Sequence, residues 1–141
     1  MDLLSLFRQI CETMNAHDFF QAKLDFETDS YDVFVSIRDK QNWVVLDVRS
    51  PEAYSNEHIP GATLLHHKKM STETTAHLDK GNLYVTYCDG IGCNASTKGA
   101  QKMAALGFQV KELLGGLDWW KRDGYATEGT KKQEGIQCNC D

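Results

Sequence analysis

The chain is 141 residues long, 41% apolar and 25% charged, a mix that suits one globular domain around a single core. It holds no run of about 18 apolar residues, which excludes a membrane-spanning helix. Its net charge is -5 and its lysines and arginines are scattered, which leaves no basic face for nucleic acid.

The N-terminus has an acid at position 2 and no basic leader ahead of an apolar block, so no signal peptide is expected. Leu3, Leu6, Phe7, Ile10 and Met14 recur at helical spacing and predict an amphipathic helix over residues 2–14, with Cys11 packed on its apolar side. Leu24–Thr28 alternates and predicts a short first strand. Thr28, Asp29 or Ser30 then caps a helix that turns Tyr31, Val33, Phe34 and Ile37 inward. Trp43–Val48 is β-branched and almost continuously apolar, the pattern of a buried strand. Ser50 caps a short helix that has Pro51 at its first position. His58–Ala62 reads as a turn in which the His58 ring makes a structural hydrogen bond, and Thr63–Leu65 as a brief strand. Residues 71–79, rich in threonine, predict only a short, poor helix.

Leu83–Tyr87 is the second strong strand, and Ser96–Leu106 the clearest helix, with Met103 and Leu106 to pack and Gly107 to end it. Phe108–Leu114 predicts a strand and Leu117–Asp123 a helix. Trp119 and Trp120 are adjacent on that helix and must face different ways, one into the core and one toward a pocket wall. Residues 127–141 are polar and aperiodic and read as a flexible tail. The organisation is therefore a helical extension over 1–23 packed on the domain, the domain itself over 24–126, and the tail over 127–141. Alternating strands and helices predict an α/β fold with a mainly parallel sheet, whose ligands bind beyond the carboxyl ends of the strands.

Cys88 falls at such an end. It is followed by Asp89, Gly90, Ile91, Gly92, Cys93, Asn94, Ala95 and Ser96, a loop that leads into a helix. Loop amides turned inward and the positive end of the helix favour an anion there, and the reactive form of cysteine is the thiolate. Gly90 and Gly92 free the backbone to approach the sulfur, and Ser96 either caps the helix or offers its hydroxyl to the anion.

Three blocks in order resemble the rhodanese family of sulfurtransferases. They are Val45–Tyr54 followed by His58–Ala62, then Tyr87–Cys88 with its loop and Ser96–Lys98, then Leu106–Tyr125. The resemblance implies a three-layer fold with a central, mainly parallel five-stranded sheet flanked by helices. It also implies that Cys88 takes sulfane sulfur from thiosulfate or a persulfide and passes it, as a Cys88 persulfide, to a thiol or cyanide, with no metal or organic cofactor. The expected partners are a small sulfur donor or a protein persulfide and a thiol acceptor; nothing indicates nucleic acid, a membrane or an oligomeric state.

Three departures shape that expectation. Ser96 lies eight positions after Cys88, about two more than the family loop, so the cradle is wider. The loop carries one charge, Asp89, which repels a dianion such as thiosulfate and points to a neutral or protein-borne persulfide. The phosphatases on this fold need arginine six positions after the cysteine. Asn94 stands there, which removes the guanidinium clamp of phosphoryl transfer. Glu57 also occupies a turn position often held by glycine, and a left-handed backbone there would cost about 1–2 kcal/mol.

Asp47 and Arg49 lie at the carboxyl end of a strand and support the site, as a structural pair or as positive potential near the sulfur, with Glu52 a local partner for Arg49. Cys93 reads either as a loop-filling residue or as a resolving thiol for Cys88. Cys138 and Cys140 read as free thiols or as a sulfur relay, since two ligands do not complete a metal site. An odd count of five cysteines without a leader points to a reducing, cytoplasmic setting. The alternatives to a sulfurtransferase are a non-catalytic binding module on the same fold and a thiol-redox protein using Cys88 and Cys93.

Overall fold

The computed structural model describes residues 1–135, without the side chains of residues 10–12; Cys11, Cys138 and Cys140 as side chains thus lie outside what is described. The elements in chain order are α1 (Leu3–Thr13), α2 (Ala16–Phe26), β1 (Glu27–Thr28), α3 (Ser30–Arg38), β2 (Trp43–Asp47), α4 (Pro51–Asn56) and β3 (Thr63–Leu64). A 3-10 turn at His67–Lys69 follows, then β4 (Leu83–Tyr87), α5 (Ala95–Ala105), β5 (Gln109–Leu113) and α6 (Gly116–Arg122). The five strands form one sheet in the order β1-β5-β4-β2-β3, and every pairing is parallel. No helix among the described residues is long and apolar enough to cross a membrane.

The two-residue period of the strands sorts the core into two halves. Val45, Val85, Tyr87 and Leu113 point to one face, where Val33 of α3, Ile59, and Leu117 and Trp120 of α6 cover them. Leu46, Val48 and Tyr84 point to the other, against Met103 of α5 and Phe108. Each large apolar side chain removed from water in this way contributes about 1.5–3 kcal/mol. Trp120 is in the core, with its indole N–H donating to the Ala126 carbonyl at 2.9 Å, whereas Trp119 stays half exposed beside Arg122.

Several local expectations change. Residues 16–26 form a helix, capped by the Asn15 side chain, and the first strand shrinks to Glu27–Thr28. A domain boundary at 24 therefore falls inside α2. α2 buries none of its residues, and Leu3, Phe7, Phe19 and Phe20 of the first two helices remain exposed. In α3, capped by Asp29, Val33 is buried but Tyr31 and Ile37 are exposed, so its inward face is narrower than the periodicity implied. Residues 71–79 form turns instead of a helix.

The stretch read as a tail from 127 onward is in place as far as 135. Glu128 and His58 exchange both backbone bonds, at 2.8 and 2.9 Å, and Thr127 is buried. The Thr127 hydroxyl donates to Glu57 at 2.6 Å, and Lys121 Nζ reaches the other oxygen of that carboxylate at 2.8 Å. Glu57 is thus a fastening point for the C-terminal segment. Its backbone is extended (φ -164°), so the left-handed strain does not arise. Burial opposes its charge, but the hydrogen bonds from Lys121 and Thr127 win and hold its carboxyl below the usual range.

Candidate active site

β2 and β4 lie side by side at the centre of the sheet and end in register, with Asp47 opposite Tyr87. The residues just past those ends therefore share one edge. Arg49, the second residue after β2, is buried there and turns back on its own strand. Its Nε and Nη2 donate to the two carboxylate oxygens of Asp47 at 3.0 and 2.7 Å, the forked geometry that suits guanidinium and carboxylate. Nη2 also donates to the Glu57 carbonyl at 2.6 Å, and Nη1 reaches Asp89 at 2.9 Å. Glu52 is not its partner. Burial works against the guanidinium charge, yet the bonds to Asp47 and Asp89 outweigh it and raise the Arg49 pKa further.

Asp47 is fully buried and accepts a third side-chain bond, from the Tyr87 hydroxyl at 2.7 Å. That hydroxyl in turn accepts the Ile59 N–H at 3.1 Å. Burial, and then the Asp47 charge, push the phenol pKa up and keep it a donor. Together these bonds tie β2, β4 and the turn that contains His58 into one network. The His58 ring stacks on Tyr54 at 3.8 Å and hydrogen-bonds the Tyr54 carbonyl at 2.7 Å, as the sequence led us to expect.

Cys88 leaves β4 with its side chain almost wholly buried, at 2% exposure. Its carbonyl accepts the Leu117 N–H at 2.9 Å and the Asp89 carbonyl accepts the Asp118 N–H at 2.8 Å, so the start of α6 clamps the start of the loop. Gly116 makes that clamp possible. It sits at φ +56°, and a Cβ there would run into the Cys88 carbonyl. Neither Gly90 nor Gly92 adopts a positive φ. A Cβ on Gly92 would point into open space, so the freedom expected of glycine at these two positions is not what shapes the loop.

The loop turns back on itself through the Cys93 N–H, which donates to the Gly90 carbonyl at 3.1 Å. This turn brings Cys93 to Cys88, with Cα atoms 6.3 Å apart, and the two sulfurs are bonded as a disulfide. Cys93 is half-buried, and Ile91 at the tip is exposed. An open depression of about 520 Å³ runs along this face, lined by Asp89, Gly90, Ile91, Gly92, Cys93 and Asp118.

α5 begins at Ala95, one residue earlier than expected. Ser96 therefore lies inside the first turn, buried, and does not cap it; its carbonyl accepts the Thr86 hydroxyl at 2.9 Å. Asn94 occupies the cap position and makes no side-chain cap bond, so the first turn of α5 keeps its unpaired amides toward the end of the loop. Lys98 is exposed on the helix.

The structure thus brings Asp47, Arg49 and residues 88–96 to one edge. Sequence reasoning missed Tyr87, Glu57 and Asp118 as parts of this edge. Tyr87 was visible as the last residue of a predicted strand, but nothing local marked its hydroxyl as a partner for Asp47. Among the described residues, no three His, Cys, Asp or Glu side chains gather as they would around a metal ion.

The family model described as rhodanese-like domain matches residues 30–123. A thiosulfate sulfurtransferase GlpE of Coxiella burnetii is 36% identical over 84 residues, 58% of this chain and 75% of its own length. The GlpE of Pseudomonas putida is 33% identical over 89 residues, covering 62% of this chain and 77% of its own. Among solved structures, the BH2092 protein of Bacillus halodurans superposes with a TM-score of 0.80 at 41% identity, over 83% of this chain and 86% of that one. The rhodanese-like domain of the Anabaena protein Alr3790 does so with a TM-score of 0.67 at 26% identity, over 74% and 80%.

Proposed function

This chain belongs to the rhodanese-like domain family, and from that premise we propose that it is a sulfurtransferase that carries sulfane sulfur on Cys88. The observation that carries the reading is the placement of Cys88: a cysteine fixed by its backbone at the carboxyl end of a central strand, facing a loop that ends in the uncapped first turn of α5. A free thiol titrates near about 8.5, and amides and a helix start at this distance in sequence favour its anion.

The transfer runs in two steps. The Cys88 thiolate attacks the outer sulfur of the donor and displaces the remainder of it, which leaves a Cys88 persulfide. An acceptor thiol or cyanide then attacks the outer sulfur of that persulfide and returns the thiolate. One covalent intermediate replaces a single difficult exchange between two anions. The unit doing this work is the sheet with its flanking helices from β1 onward, including the fastened C-terminal segment, with the N-terminal helices as an addition to it.

The curated relatives are named for thiosulfate. Here Asp89 directly follows Cys88 in the chain. Arg49 neutralises one carboxylate, but it is shared between Asp47 and Asp89, which leaves a net negative charge at the edge. A neutral or protein-borne persulfide therefore suits the loop better than the thiosulfate dianion. A reducing cytoplasm suits the cycle, because the Cys88–Cys93 bond must be opened before Cys88 can react.

The test is to reduce the protein, expose it to a small persulfide or to thiosulfate, and weigh it. Cys93→Ser, in which no neighbouring thiol can discharge the carrier, gains one sulfur on Cys88 and passes it to cyanide, loading faster from the persulfide than from thiosulfate. Cys88→Ser does neither. Failure of Cys93→Ser to take up sulfur from either donor, together with no sulfide released by wild type, sinks the reading and leaves a binding module.

A further inference from the structure

Cys93 is not needed for sulfur to enter or leave Cys88 by the two steps above, yet the fold delivers it to that sulfur. Both ends of the loop are anchored independently of the disulfide. At one end, Asp89 is held by Arg49, and the Cys88 carbonyl by the Leu117 N–H. At the other, α5 starts at Ala95 with the Lys98 N–H bonded to the Asn94 carbonyl. Between them the bond from Cys93 N–H to the Gly90 carbonyl folds the chain back over Cys88. The extra length of the loop, eight positions from Cys88 to Ser96, is spent on this return. Cys88 is 2% exposed while Cys93 borders the open depression, so Cys93 is the thiol within reach and any outside acceptor must come in past it.

We propose that Cys93 makes this sulfur carrier a sulfide-releasing enzyme, in which the Cys93 thiol discharges the Cys88 persulfide and a dithiol reductant restores the pair. The proposal rests on the Cys88 persulfide reading. The Cys93 sulfur attacks the inner sulfur of the persulfide, Cys88 Sγ. The Sγ–Sγ bond forms, and the bond from Cys88 Sγ to the outer sulfur breaks. The outer sulfur leaves with the electron pair as hydrosulfide, taking the proton of the Cys93 thiol. The sulfane sulfur is reduced to sulfide, and the two cysteine thiols are oxidised to the disulfide. The bond made in this step is the bond present in the structure. The dithiol then attacks the more accessible Cys93 sulfur and releases Cys88 as thiolate. Its second thiol resolves the mixed disulfide, so two protein thiols return and the reductant leaves as a cyclic or internal disulfide.

An intramolecular thiol at this position outcompetes dilute external thiols by its effective concentration alone.

The experiment uses the full chain, reduced and freed of reductant, mixed with one equivalent of glutathione persulfide. Trapped sulfide, intact mass and a peptide map are read together. Wild type releases close to one equivalent of sulfide, ends two hydrogens lighter than the reduced chain, and maps with residues 88 and 93 linked. Cys93→Ser and Cys93→Ala instead accumulate one added sulfur on Cys88 and release sulfide at least about tenfold more slowly. With excess persulfide, adding dithiothreitol lets release turn over, faster in wild type than in the Cys93 variants, where the dithiol must reach the outer sulfur on Cys88 directly. Wild type that keeps its persulfide with Cys93 free, or that carries the added sulfur on Cys93, overturns the proposal, as does a Cys93 variant that releases sulfide at the wild-type rate. In those cases the sulfur still enters at Cys88 and the carrier reading stands. If neither wild type nor the Cys93 variants take up sulfur, the carrier reading itself has failed and takes this proposal with it.

Discussion

The segments that leave β2 and β4 lie next to one another at the same edge of the sheet, and they are held in opposite ways. After β2, Arg49 is buried and its guanidinium makes hydrogen bonds to Asp47, Asp89 and the Glu57 carbonyl. After β4, the loop is fastened at its start by the backbone bonds of Cys88 and Asp89 and at its end by the first turn of α5. Between those ends it is held, among the described residues, by one turn bond and the disulfide, and its tip, Ile91, is exposed. The difference assigns separate duties. The charged network fixes the strand ends beside the cysteine, and the loop above it is held by fewer bonds. The sulfur-carrier cycle proposed above, in which the site admits a donor, discharges and is reduced again, calls for both a fixed nucleophile and a yielding cover.

Arg49→Met probes the rigid half and carries the largest expected effect. It leaves the Asp47 carboxylate buried with no cation, a change that costs about 3–5 kcal/mol. Urea denaturation of the reduced protein measures it, and a loss under about 1 kcal/mol would mean that the network does not hold the edge.

Glu57→Gln tests the same half through pH. The folded-state pKa of Glu57 is depressed, so its contribution is present above the unfolded value of about 4.3 and is lost as pH falls through the lower folded value. Wild-type stability should therefore drop between about pH 5 and the folded pKa, and the variant should show a shallower acid limb. Equal slopes for the two proteins would remove Glu57 from the network.

Ile91→Ser tests the yielding half and should do least. The side chain is 83% exposed, and its loss should leave stability within about 0.5 kcal/mol of wild type. A larger loss would show that the loop tip is packed in solution, and the contrast between the two segments would weaken.

The sequence made one side of this contrast much easier to read than the other. β2 and β4 announced themselves as apolar, β-branched runs, and the strand-cysteine-loop-helix order located Cys88 without reference to anything distant. Arg49 was legible as a residue at the right edge. Its bond to Asp89 was not, because the two are forty residues apart and only the pairing of β2 with β4 brings them together. The Glu57–Thr127 bond spans seventy residues and joins segments that read as a turn and a tail. α2 was missed for another reason. Its apolar residues face water, so burial left no clean pattern, and the alternation in Leu24–Thr28 imitated a strand. Cys93 was a local ambiguity that spacing alone does not resolve, since five residues span the gap only if the chain turns back between them.

The order of the strands sets a timetable for the newborn chain. β1 sits at one border of the sheet and its sole neighbour is β5, more than eighty residues later, so the first strand to be synthesised has nothing to pair with until the last one emerges. Such distant pairings must meet the cost of closing a long loop before any contact rewards it, and they slow folding. Assembly on the ribosome should therefore stall with the β1 border unformed and complete only after Leu113 clears the exit tunnel. Chains truncated ahead of β5 should be substrates for chaperones rather than partly active enzymes.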